Sequence, residues 1–268
     1  MSSSSKAPFS SPGEINNWPM LKIVYRTTPA AIAALLPPGI TNSDTSNVTL
    51  SIYNLPVPDE PEYGILMTCD ATYDGTPGEW ALGYGIDQES AIFISQFTNG
   101  QPKFPCETEY YRQGDRVRAR CIHQGYTFVE FEGTEVGEDN YTDGLERNEW
   151  WVKVSREVGG GKGYDFPPHV VRVQGKYGPG YRLKLDGELT LRESPWDPIA
   201  ELLPMEGQVS AHLWWPEFKS RDISLAGPLD PEAFWPHIDT ISGSRWPGSN
   251  GGPKRKTPAP PSQWKKTA

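Results

Sequence analysis

Apolar and polar residues alternate along most of this chain in short runs separated by Gly, Pro, Asn and Asp, the period-2 signature of strands with turns between them. The runs Met20 to Tyr25, Val48 to Leu55, Trp80 to Ile86, Ala91 to Phe97, Arg116 to Ile122, Thr127 to Phe131, Trp150 to Ser155, Val170 to Gln174, Tyr181 to Arg192 and Val209 to Trp215 are rich in β-branched and aromatic residues and predict strands. Two short helices are predicted. Pro29 to Leu36 has proline in its first turn and Pro37-Pro38 behind it, and Pro198 to Leu203 stops before Pro204. Many strands and few helices predict a mainly β (α+β) domain, an antiparallel barrel or sandwich.

The alternation fades at both ends. Residues 1–17 are Ser-rich and polar, and residues 243–268 combine Gly and Pro with Lys254, Arg255, Lys256, Lys265 and Lys266. Both ends read as disordered, leaving one domain over 18–242. The basic tail reads as solvated charge in preference to a nuclear address or an anion-binding arm. At 268 residues the chain is long enough to bury one sizeable core.

Charge and cysteine usage narrow the classes. The net charge of −9 disfavours nucleic acid and anionic lipid as partners, and the apolar clusters are far shorter than the run of about 20 residues that crosses a bilayer. The first six residues lack the apolar core of a secretory signal, which predicts a cytoplasmic protein with reduced thiols. Cys69, Cys106 and Cys121 are odd in number and lack CxxC spacing, which argues against a disulfide framework and a zinc site. His123, His169 and His212 likewise show no metal-ligand spacing. The run Gly159-Gly160-Gly161-Lys162-Gly163 fails the phosphate-loop pattern, because Tyr164 follows and no helix pattern succeeds it, so it predicts a hairpin loop.

Several motifs carry a resemblance. Tyr25-Arg26-Thr27 leads into Leu36-Pro37-Pro38-Gly39; Ile86-Asp87 is followed by Ala91-Ile92 and then by Pro102-Lys103; Trp151-Val152-Lys153-Val154, Pro168-His169-Val170-Val171 and Glu188-Leu189-Thr190-Leu191 come later; and Ser194-Pro195-Trp196-Asp197-Pro198 precedes Leu202-Leu203-Pro204. In order and spacing these resemble the acetoacetate decarboxylase family over roughly residues 22–215, the gap from Asp87 to Pro102-Lys103 being the most specific match. The resemblance implies that fold, a homo-oligomeric assembly, and a lysine at position 103 that condenses with a substrate ketone. The resulting iminium draws electrons as carbon dioxide leaves. The lysine does this without a cofactor or metal, and the implied partner is a small carbonyl compound.

A lysine at its ordinary pKa of about 10.4 is protonated at neutral pH and cannot attack a carbonyl, so its surroundings must disfavour the ammonium form. Pro102, Phe104 and Pro105 flank Lys103, and Phe93 and Phe97 on the preceding predicted strand offer an apolar lining. Where the family carries a second lysine this chain has Phe104, which leaves burial as the main cause of any depression. Arg26 matches the family's pocket arginine, and a guanidinium holds a carboxylate through two hydrogen bonds. Tyr25, Trp80 and Tyr84 are candidate pocket aromatics, beside the alternative that aromatics in a β core serve packing.

The resemblance breaks at the family's two pocket glutamates. Their positions fall at Ser51 and in the stretch Tyr63-Gly64-Ile65, and neither is acidic. Glu62 is the nearest substitute, although Asp59-Glu60-Pro61-Glu62 reads as a solvated turn. Ser95-Gln96-Phe97 also replaces the family's Gly-Arg-Glu-like stretch. Three functions follow: decarboxylation through a Lys103 imine, another imine-dependent reaction such as aldol chemistry, dehydration or cyclisation, or a noncovalent binder that has lost the imine.

Overall fold

The computed structural model describes residues 19–57, 60–240 and 246; the two ends read as disordered lie outside these residues, apart from Trp246. Trp246 is buried in the main core, and its indole N–H donates to the Trp196 carbonyl at 3.1 Å, so the chain is packed on the domain at that point.

Fourteen strands and four short helices follow in order: β1 Met20–Arg26, α1 Pro29–Ala33, β2 Ile40–Asn42, β3 Asn47–Val57, β4 Glu60–Tyr73, β5 Thr76–Ile86, α2 Glu89–Asn99, β6 Lys103–Pro105, β7 Glu107–Gln113, β8 Arg116–His123, β9 Tyr126–Glu138, β10 Leu145–Arg156, β11 Tyr164–Tyr177, β12 Tyr181–Leu191, α3 Ile199–Leu202, β13 Gln208–Trp215, β14 Phe218–Pro228 and α4 Pro231–Phe234. The mainly β fold with few helices is as expected. All strands join one sheet, ordered β14-β11-β10-β5-β4-β3-β1-β13-β12-β9-β8-β7, with β2 and β6 attached to β4 and β5. The sheet is mixed, because β5 pairs in parallel with both β10 and β6.

One expected strand is a helix. Ala91 to Phe97 lies within α2, which has Glu89 in its first turn and ends at Gly100 in the left-handed region (φ 68°), with the Gly100 and Gln101 amides closing on the Gln96 and Ser95 carbonyls. The apolar run looked strand-like, but Gly100 at the stop position and the wide spacing to Lys103 suit a crossover helix between the parallel strands β5 and β6. The glycine run is the hairpin loop between β10 and β11, with Gly159 and Gly160 at positive φ.

The sheet curls so far that β7, one end of the path, packs back against β3 to β5, and the Tyr110 hydroxyl donates to the Pro19 carbonyl at 2.9 Å. This encloses the main core on one face, where Leu21, Ile23, Leu50, Ile52, Ile65 and Met67 are fully buried. On the other face, Tyr177 of β11 meets Trp214 of β13 with ring centroids 5.2 Å apart, although five strands separate their positions in the sheet. The second face is therefore enclosed as well.

Candidate active site

Strand alternation decides what faces this second interior. Residues in register share a face, so the chain of partners Lys22, Ser51, Leu66, Tyr84 and Lys103 forms one row across β1, β3, β4, β5 and β6. Two residues along the strand Tyr53 lies opposite Gly64, and two further on Leu55 lies opposite Glu62. The same face continues on β10 with Arg147, Glu149 and Trp151, and on β14 with Arg221, which pairs with Gly175 opposite Arg147.

Lys103 and Glu62 meet here. The Lys103 Nζ lies 2.8 Å from Glu62 Oε2, and both residues are almost fully buried, at 8% and 4% exposure. The Tyr53 hydroxyl donates to the other carboxylate oxygen at 3.1 Å. Burial and the neighbouring Glu62 charge push the Tyr53 phenol well above its ordinary range, so it stays a donor. Tyr53 reaches Glu62 by lying across Gly64: a Cβ there would come within 2.8 Å of the Tyr53 hydroxyl. The backbone of Lys103 is fixed by parallel pairing to Tyr84 and by the Gln96 side chain of α2, which donates to the Lys103 carbonyl. Glu62 is thus no solvated turn residue. It lies on β4, turned inward, with its carboxylate against the Lys103 amine.

Beside this pair lies a second acid. Glu149 accepts hydrogen bonds from the Tyr84 hydroxyl and the Trp151 indole, and burial raises its pKa against the opposing pull of Arg221. Burial and Glu149 also push Tyr84 well up. Arg221 lies 5.6 Å from the Trp151 ring, and Arg147 pairs with Glu79 at 3.4 Å. The interior thus holds amines, carboxylates and phenols facing one another away from water.

The other expected residues divide. Ser51 is buried on this face, as its register requires, but as a serine; the other expected glutamate position, Ile65, faces the apolar core. Tyr84 takes part through Glu149. Tyr25 does not: it is fully buried in the main core and its hydroxyl donates to the Leu203 carbonyl at 3.2 Å. Arg26 is exposed at the far end of β1, opposite Asn47. Tyr53 lies six residue steps along β3 from Asn47, about 20 Å at the rise of a strand, so Arg26 is not brought to the Glu62 end of the site. Trp80 belongs to the main core, and Phe104, alternating with Lys103, packs there against His123 with ring centroids 5.0 Å apart. The expected apolar lining from Phe93 and Phe97 fails, because α2 turns them outward, at 62% and 87% exposure.

Tyr63 is half-buried and lines an open concavity of about 1410 Å³ between α2, β7 and β8, beside Ile92, Gln96 and His123. Neither Lys103 nor Glu62 lines it, so the large opening and the ionisable interior are separate features. His123 pairs with the fully buried Asp197 at 2.7 Å, which ties the segment before α3 to β8. Sequence reasoning missed Tyr53, Glu149, Arg221, Arg147 and Lys22. The available signal was the alternation itself, as in Arg147-x-Glu149-x-Trp151, which is easily taken for a solvent-facing edge.

The β-rich fold of one curled sheet is shared with known enzymes. The family model for acetoacetate decarboxylase (ADC) matches residues 1–227, and the chain belongs to that family. An acetoacetate decarboxylase-like enzyme from Sphingomonas wittichii RW1 superimposes with a TM-score of 0.63 at 17% identity, over 79% of this chain and 90% of that one. The enduracididine biosynthesis enzyme MppR gives 0.62 at 15% identity over 78% and 85%, and acetoacetate decarboxylase from Legionella pneumophila gives 0.58 at 15% over 76% and 85%. At these identities the likeness concerns the fold. No curated protein matches the chain.

Proposed function

We propose that this protein is a Schiff-base lyase in which Lys103 condenses with a keto acid or related carbonyl compound and promotes decarboxylation. The observation that carries the reading is the buried Lys103–Glu62 pair, with Tyr53 on the second carboxylate oxygen. In this reading Glu62 takes a proton from Nζ as the amine adds to the carbonyl carbon and returns it to the departing oxygen, which leaves as water. The iminium then accepts the electron pair of the breaking carbon–carbon bond as carbon dioxide departs. The enamine takes a proton at carbon, and water returns the amine. Glu149, whose carboxyl burial shifts toward its protonated form, is the group on the same face that would deliver that proton.

A second reading keeps the imine and replaces loss of carbon dioxide with condensation. Its support is the second carboxylate in the same interior, together with the likeness to MppR, which has been captured with the condensation product of pyruvate and imidazole 4-carboxaldehyde. The proposal extends to a reducing, cytoplasmic setting and to a homo-oligomer, for which the exposed Phe93, Ile94 and Phe97 of α2 offer an apolar surface.

The test is the intact and peptide mass after incubation with acetoacetate or pyruvate and sodium borohydride. A substrate-sized gain located on the Lys103 peptide of the native protein, and absent from that position in Lys103→Ala, is expected. A native protein labelled at other lysines but not on the Lys103 peptide would remove Lys103 from the mechanism, and carbon dioxide release divides the two readings.

A further inference from the structure

Lys22 lies at the other end of the row that ends in Lys103, four strand spacings away, or about 19 Å along the curled sheet. Its neighbours Leu21 and Ile23 face the main core, so alternation turns Lys22 into the polar interior, where it is 7% exposed. Unlike Lys103, it has no carboxylate within 4 Å among the described residues. Its ammonium instead lies 5.0 Å from the centroid of the Trp214 ring. That indole is held in turn by Tyr141, whose hydroxyl accepts its N–H at 2.9 Å, and by Tyr177.

We propose that Lys22 is a second carbonyl-reactive amine of this interior, one that takes an aldehyde or keto group into an imine independently of Lys103. The step forms one C–N double bond: the Nζ lone pair adds to the carbonyl carbon, and the two amine hydrogens leave with the carbonyl oxygen as water. No oxidant or reductant takes part. The groups facing Lys22 suit this. Ser51 and His212 lie opposite it on the flanking strands β3 and β13, and Arg147, Glu149 and Glu79 act on it from β10 and β5.

Burial above all, and then the Arg147 charge, lower the Lys22 pKa to about 8 against the opposing pull of Glu79 and Glu149. His212 is held neutral, its own pKa lowered to about 3 by burial and by Arg182, Lys22 and Arg147, so it adds no charge opposite the amine. By contrast Lys176 and Lys219 are exposed and paired with Glu146 and Glu217. The inference uses the interior assigned above but does not require Lys103 to react. Two amines facing one interior suit a substrate with two carbonyl groups, or two carbonyl partners.

The experiment is trace reductive methylation of the folded full-length chain with isotopic formaldehyde and cyanoborohydride from pH 6 to 10, read lysine by lysine from peptide masses. Lys22 should label with a midpoint near pH 8, whereas Lys219 rises only above about pH 10. A parallel pyruvate and borohydride reaction on Lys103→Ala should place an adduct on the Lys22 peptide and none in the Lys103→Ala, Lys22→Met pair. An adduct confined to Lys103, with Lys22 unlabelled by formaldehyde while Lys219 is labelled, overturns this inference and leaves the Lys103 reading standing. An adduct at Lys22 with none at Lys103 does the reverse. A Lys22 midpoint shared with Lys219 also overturns it.

Discussion

The two faces of the central strands differ in kind although the same residues' neighbours make both. On β1, β3 and β4, Leu21, Ile23, Leu50, Ile52, Ile65 and Met67 face one way, and Lys22, Ser51, Tyr53 and Glu62 face the other. Both sets are buried. The apolar side is stabilised by leaving water, whereas each polar side chain loses hydration and regains it only from a partner inside the fold. A buried face of this second kind is specified by mutual pairing, which is the pattern expected of a site that handles protons.

The sharpest way to break the contrast is Glu62→Ala. It leaves the Lys103 ammonium buried without its carboxylate, and a loss of about 3–5 kcal/mol in denaturant unfolding is expected, together with a fall in turnover or trapping rate of roughly 10² or more. Leu50→Ala tests the opposite face: about 2–5 kcal/mol should be lost through the cavity, while the borohydride adduct at Lys103 persists in the folded fraction. A variant that lost the adduct without unfolding would show that the two faces are not separable.

Gly64→Ala is the next smaller change. The added Cβ meets the Tyr53 hydroxyl at 2.8 Å, and overpacking of this kind costs about 1–3 kcal/mol. Turnover should drop as Tyr53 leaves Glu62, and Tyr53→Phe alone should lower turnover without the overpacking, because the added Cβ also meets the Gly85 carbonyl at 2.8 Å. At neutral pH the mildest effect is that of His212, whose influence grows only in acid. With a folded pKa of about 3 against 6.5 unfolded, His212 binds its proton less readily in the native state, so stability falls as pH drops from about 6.5 toward 3. His212→Gln should flatten that arm of the stability profile in thermal melts and leave the curve above pH 7 unchanged.

Much of this was legible in the sequence. The strand runs other than β2, β4, β6, β7 and β14, the short helices at α1 and α3 and the hairpin loop at Gly159–Gly163 follow from local patterns, whereas Lys103 was singled out only through the family resemblance. Helix α2 was not legible as a helix, because Ala91 to Ile94 is equally suited to a strand and only the Gly100 stop signals otherwise. The carboxylate was half legible. Glu62 was the nearest acid, but its turn-like flanks concealed that β4 begins at Glu60 and turns it inward. Arg26 and Tyr25 show the limit from the other side: a motif position can be retained while the register places one residue at an exposed strand end and the other in the core. Glu149 and Arg221 were visible only as alternation, which does not tell which side of β10 or β14 the curled sheet encloses.

The parallel pairing of β6 with β5 has one more consequence. Glu62 and Lys103 are 41 positions apart, and the second reaches the first only after α2 has carried the chain back across the sheet. The β4–β5 hairpin can close early by local contacts, but the amine arrives through a non-local step of the slower kind. Until it does, Glu62 has its phenol and no cation. Assembly of the pair should therefore follow hairpin formation in time, making its first appearance a kinetic marker for docking of the crossover.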